Sequence, residues 1–261
     1  MCEERWRFNL LGTFEVVRNN TVLAGVHRNK HCQVLAFLAY TSGQHARGNL
    51  SALFWPMSEV RSNNLSQAIG KLTRILELPE LNEYTLLQNP GDGTLGLLYG
   101  LFTRDIDVFG QFLKEADKIS DETAKIGPLT AAVRLYRGEF MLGYDAEEEY
   151  EWIARPRLDF RNKFVLALKT LERLFRKFSL TDLAVLCEEH IVFAAPLSPD
   201  ECALLENWDK TVPAEPTVSR SPSATNRAAR SVNLPKAITA YNHGRGLWKL
   251  RSEGALRESI R

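Results

Sequence analysis

No stretch of this chain contains the ~18–20 consecutive apolar residues that a membrane-crossing helix requires. The opening residues Met1, Cys2, Glu3, Glu4, Arg5 and Trp6 also lack the apolar core of a secretory leader. Cysteine is sparse: Cys2, Cys32, Cys187 and Cys202 stand apart, without the paired spacing of a disulfide frame or a zinc site. Isolated thiols suit a reducing compartment, so the expectation is a cytoplasmic protein with no membrane partner. Net charge is almost absent at +1, which neither favours nor excludes nucleic acid as a partner. The distribution of charge says more. Residues 1–80 hold nine Lys and Arg against six Asp and Glu, whereas Asp145, Glu147, Glu148, Glu149 and Glu151 form an acidic run. A polyanionic partner would therefore meet the N-terminal part.

Signatures of chemistry are equally scarce. Gly91, Gly93 and Gly96 match the spacing of a dinucleotide-binding loop, but they precede the strand-like Leu97-Leu98 instead of opening a helix, so a hairpin turn is the better reading. Gly70-Lys71 lacks the other residues of a phosphate-binding loop. Cys187 with His190, and His27 with His31, each offer two metal ligands where structural zinc needs four; both pairs read as surface helix residues. The carboxylates at 145–151 read as a solvated charge run. The sequence thus points to a binding protein with no cofactor and no metal, and not to an enzyme.

At 261 residues, 44% of them hydrophobic, the chain can fill two modest cores. Residues 7–17 are apolar and β-branched enough for a strand, Asn19-Asn20 suits a hairpin turn, and Thr21-Val22-Leu23 makes a return strand. The apolar spacing then becomes helical. Val34, Leu35, Leu38 and Ala39 form one stripe that ends at Thr41-Ser42-Gly43. A second helix covers Leu50, Leu53, Phe54 and Trp55, and Pro56 stops it. A third is expected from about Ser58, as N-cap, to about Leu78. On its wheel Leu65, Ile69, Leu72 and Leu76 make a buried face, with Ala68 and Ile75 beside it. Asn63, Gln67, Gly70, Lys71 and Arg74 lie opposite, with Ser66 at the edge. Such a face is either simply solvated or set to hydrogen-bond base edges and phosphates. Residues 84–98 read as two short strands about the turn Pro90-Gly91-Asp92-Gly93. Strand pair, three helices and hairpin outline a winged helix-turn-helix.

These residues resemble a family of bacterial regulators that join a response-regulator-type winged helix to a bacterial transcriptional activator domain, as in antibiotic-pathway regulators of actinomycetes. The likeness is carried by Phe8-Asn9-Leu10-Leu11-Gly12-Thr13-Phe14-Glu15-Val16, Gln33-Val34-Leu35-Ala36-Phe37-Leu38-Ala39, Leu53-Phe54-Trp55-Pro56 and Asn63-Asn64-Leu65-Ser66-Gln67-Ala68-Ile69. It continues in Asp105-Ile106-Asp107-Val108-Phe109, Leu135-Tyr136-Arg137-Gly138-Glu139-Phe140 and Glu151-Trp152-Ile153 with Arg157, in the family's order over residues 6–205. The resemblance implies that the helix near 59–77 enters the major groove of double-stranded DNA. DNA-binding roles then fall on Asn63, Asn64, Ser66, Gln67, Lys71 and Arg74, with Arg47 holding phosphate at the start of the preceding helix. It also implies a transcriptional activator whose protein target is RNA polymerase or another transcription protein. Family members often carry arginine where Ser66 and Thr73 stand, which lowers the expected phosphate neutralisation and makes homodimerisation on repeated half-sites a useful supplement.

Apolar residues recur at helical spacings in the second half, among them Phe109 and Phe112, Leu129 to Tyr136, Phe164 to Phe175, and Leu183 to Ile191. Helix pairs of this kind stack into a tetratricopeptide-like array. Gly138 and Gly143 mark turns, and Tyr136 and Trp152 read as core. The expected architecture is mainly α with a small N-terminal β component: a winged helix-turn-helix over 1–100 followed by a tetratricopeptide-like helical array over 101–210. A flexible linker is expected over 211–235, and the opening of a further repeat, apparently truncated, over 236–261. The alternative is a tetratricopeptide-type interaction scaffold with a degenerate winged helix.

Overall fold

The computed structural model describes residues 6–26, 29–76, 86–98, 100–144 and 151–210. It is mainly helical, with a small sheet at the N-terminus. Among the described residues no helix is long and apolar enough to cross a membrane. The expected linker and C-terminal repeat lie outside the described residues, as do Glu147, Glu148 and Glu149 of the acidic run.

The chain opens with β1 (Trp6–Asn9), β2 (Glu15–Arg18) and β3 (Thr21–Val22). Asn19 and Asn20 both take positive φ, at 48° and 68°, which gives the tight β2–β3 hairpin that their side chains tolerate. The expected single strand over 7–17 is broken at 10–14. Two causes act there: Gly12 adopts φ 104°, and the N–H groups of Leu10 and Leu11 bond outside the ladder. A further strand, β7 (Phe102–Arg104), pairs parallel with β1, so the sheet runs β3-β2-β1-β7. Its third and fourth positions in sequence order lie on either side of the boundary expected after residue 100. Phe8, fully buried, packs its ring against Phe14 and edge-on to Phe102.

Between those strands lie α1 (Lys30–Thr41), β4 (Gln44–Ala46), α2 (Arg47–Phe54), α3 (Arg61–Leu76) and the hairpin β5 (Leu87–Gln88) with β6 (Thr94–Leu97). Asn29 caps α1 by accepting the Cys32 N–H, and the apolar stripe Val34, Leu35, Leu38 and Ala39 is buried. No basic residue occupies the last turn of α1. Arg104 fills that role from β7, donating to the carbonyls of Ala39 (3.0 Å) and Tyr40 (2.7 Å), while Asp107 holds its guanidinium at 2.6 Å. β4 was not expected; it pairs with β6 to make a second sheet, β4-β6-β5.

The remaining helices are α4 (Asp105–Lys118), α5 (Glu122–Leu135), α6 (Glu151–Lys177), α7 (Thr181–Phe193) and α8 (Pro199–Glu206). α4 packs on α5, α5 on α6 and α6 on α7, while α8 folds back onto α5 through the Arg134–Glu206 ion pair. Tyr136 is buried and stacks on Phe164 with ring centroids 4.0 Å apart, as a core residue should. Gly138 and Gly143 have positive φ and mark the turns read from sequence. Cys187 and His190 differ from the surface reading. Cys187 is fully buried, which pushes its thiol up to about 12, and His190 is held between the Ala195 carbonyl and Glu201.

A single contiguous core runs from Trp6 to Leu205. Its junction is polar at one point. Asp105, the first residue of α4, is buried and accepts the backbone N–H groups of Leu10, Leu11 and Ile106 at 2.8 Å each. On the other side of residues 10–12 the segment 139–142 closes a short ladder, with Gly12 donating to the Glu139 carbonyl and Met141 to that of Leu10. Burial pushes the Asp105 carboxyl up from 3.8 to about 6, against the pull of those N–H groups and of Arg137. The folded protein therefore binds this proton more tightly than the unfolded chain does. The stabilisation is present below 3.8 and is lost as pH rises through about 6. In urea melts, wild type should lose stability relative to Asp105→Asn between about pH 3.8 and about pH 6, by up to the order of 3 kcal/mol. A constant difference would mean that the carboxyl does not titrate in this window.

Candidate nucleic-acid interface

α3 is amphipathic in the sense its sequence predicts. Leu65, Ala68, Ile69, Leu72 and Leu76 are buried against α1 and α2, whereas Asn63, Ser66, Gln67, Gly70, Lys71 and Arg74 are exposed. The helix begins later than expected. Ser58 is not its N-cap, and Glu59 lies outside the first turn, which contains no acidic residue. Instead the Ser58 hydroxyl accepts from the Asn64 amide at 3.0 Å, and the first turn carries Arg61. Asn64 is therefore half-buried and turned toward the loop, apart from the outward face. The expected end near Leu78 lies outside the described residues.

Arg47 starts α2, as the site reading requires, and ties three elements together. Its backbone N–H donates to the Gly93 carbonyl at the hairpin tip (2.9 Å), and its guanidinium donates to the Ser66 hydroxyl (3.0 Å). Ser66 in turn donates to the Ser62 carbonyl at 2.9 Å. The structure thus brings Arg47, Asn63, Ser66, Gln67, Lys71 and Arg74 onto one side of the N-terminal part. Among the described residues neither Lys71 nor Arg74 enters an ion pair. Thr73, the other position where the resemblance leads one to expect a cation, is half-buried and bonds back to the Ile69 carbonyl.

The flanking hairpin is polar but not cationic. Gln44 donates its amide to Gln88 at 2.7 Å across the β4-β6-β5 sheet. Asp92 at the tip accepts from the Thr94 hydroxyl and N–H, which hold its carboxyl below the usual range, so the tip is anionic at neutral pH. Burial lowers the pKa of His45 on β4, which stays neutral at the same pH. Among the described residues, the positive charge on this side comes from the helices. Sequence reasoning did not single out Arg61 in the first turn of α3, and it missed β4, because three polar or small residues carry no strand periodicity.

Two glycines have opposite reasons for being glycine. At Gly96 an added Cβ would sit 2.5 Å from the Gly43 carbonyl oxygen, so the close approach of β4 to β6 admits no side chain. At Gly70 an added Cβ would meet nothing within 4 Å. Glycine in a helix interior costs about 0.5–1 kcal/mol relative to alanine. Nothing within the described fold compensates for that at Gly70.

Compared with protein-family models and with curated proteins, the chain matches none. The site therefore stands on its own geometry. Thermal melts should separate the glycines: Gly70→Ala is expected to stabilise by about 0.5–1 kcal/mol, and Gly96→Ala to destabilise by about 1–3 kcal/mol. A destabilised Gly70→Ala would show that the position is constrained from within.

Proposed function

We propose that this protein is a sequence-specific DNA-binding transcriptional regulator, an activator by resemblance, whose N-terminal part is a winged helix-turn-helix. In this reading α2 and α3 form the helix-turn-helix, α3 lies in the major groove, and the β5–β6 hairpin is the wing. The observation that carries it is the outward face of α3, where two amides, two cations and a glycine are exposed side by side. Arg47 adds a third cation at the neighbouring helix start. The helical half, read as a tetratricopeptide-like array, serves dimerisation or contact with RNA polymerase or another transcription protein. Support comes from α6 and α7, which leave Leu166, Val192 and Phe193 at 65%, 70% and 77% exposure. Beside them an open groove of about 700 Å³ is lined by Lys169, Glu172, Arg173, Glu188, Ile191 and Val192.

A second reading makes the helical half the active part of an interaction scaffold, with a degenerate winged helix. Ser66 and Thr73 favour it, since both hydroxyls bond to carbonyls of their own helix, and so does the anionic hairpin tip. An electrophoretic shift assay on promoter fragments separates the two. On the DNA-binding reading, fluorescence anisotropy should give selective binding whose affinity falls with salt, and Arg74→Ala should lower the salt slope by about one if Arg74 contacts phosphate. Binding that is neither selective nor salt-dependent would leave the scaffold reading in place.

A further inference from the structure

We propose that Asn63 and Gln67 each read an adenine, so that the site recognised by this protein carries two A·T pairs set about two base pairs apart. The inference rests on the DNA-binding reading and adds the chemistry of the bases. Asn63 and Gln67 are four residues apart on α3, both exposed, and neither amide is taken by a neighbour among the described residues. That freedom distinguishes them from the other amides nearby. Asn64 donates to Ser58, and the Gln44 and Gln88 amides bond to each other. A carboxamide presents one donor and one acceptor side by side. In the major groove adenine alone offers the matching edge, an N7 acceptor beside the N6 donor; guanine offers two acceptors, cytosine a donor, and thymine an acceptor with a methyl group.

Position and spacing then fix the pattern. Asn63 is the third residue of α3, in the part of a recognition helix that approaches base edges first. Gln67 follows one turn later on the same face, and Gly70 beyond it presents no side chain, leaving room for the duplex. Four residues advance a helix by about 6 Å, and base pairs are stacked about 3.4 Å apart. The two amides therefore reach bases about two pairs apart. Arg47 on one edge, with Lys71 and Arg74 beyond, supplies the cations that hold phosphate on either side.

The test is selection from a randomised duplex pool by the full chain, followed by sequencing of the bound fraction. Adenine should be enriched at two positions of the half-site with the stated spacing. Selection by Asn63→Ala should lose the preference at one position and by Gln67→Ala at the other, each by about tenfold. Replacing each selected adenine by 7-deazaadenine, which lacks N7, should weaken wild type and leave the matching alanine variant unchanged. Both side chains are exposed, so the variants should melt with wild type, which keeps loss of preference separate from loss of fold. A selected site without the adenine pair, or unchanged preferences in both variants, overturns this proposal and leaves DNA binding intact. No selective enrichment at all overturns the DNA-binding reading and this proposal with it.

Discussion

Residues Leu10, Leu11 and Gly12 would be the weakest point of the fold if nothing gripped them, because they leave the antiparallel β1–β2 ladder and yet are buried. The Asp105 carboxylate supplies the grip. It sits at the N-terminus of α4, where the helix dipole favours negative charge, and it accepts two N–H groups of the β1–β2 connection that the ladder leaves over. Without it those donors would be buried and unmatched, each at a cost of about 1–3 kcal/mol. The same residue is the hinge from sheet to helices: β7 ends at Arg104 and α4 begins at Asp105. One side chain of this dipeptide closes the end of α1, the other fastens the start of the chain. The ladder from Gly12 to Glu139 and from Met141 to Leu10 then joins the two halves from the opposite side.

An aromatic cluster completes the junction. Trp152, in the first turn of α6, meets Phe37 of α1, Phe54 of α2 and Phe140 of the preceding loop, with ring centroids 5.3, 6.2 and 6.4 Å away. The helix that packs behind α3 is thus in contact with the longest helix of the second half. Any partner that displaced the start of α6 would disturb α1 and α2 directly, without needing a relay through distant residues.

Much of this was legible in the chain. The buried stripes of α1 and α3, the Asn19-Asn20 turn, the glycine-rich hairpin and the two glycine turns near 138 and 143 all follow from periodicity and positive φ, which are local properties. What escaped is non-local. The strand over 7–17 breaks because of an aspartate about 95 residues away in sequence, and β7 and β4 are strands only because β1 and β6 stand ready to pair with them. The apolar stripe from Leu129 onward marked only the second part of α5, whose start is set by the Asp121 cap and which runs through Pro128. At the candidate site the exposed and buried sides of α3 were readable from the wheel. The bond from Arg47 to Ser66 was not, and neither was the turning inward of Asn64, since both depend on where loops place side chains.

β7 has only three residues, yet it occupies one edge of the N-terminal sheet and leaves β1 as an interior strand. A fragment cut immediately before it would present the backbone of Trp6–Asn9, a strand with Trp6 and Phe8 on its buried side, as an open border. Such borders recruit strands from other molecules. A portable N-terminal piece of this protein that carries residues 102–104 with it keeps that border covered.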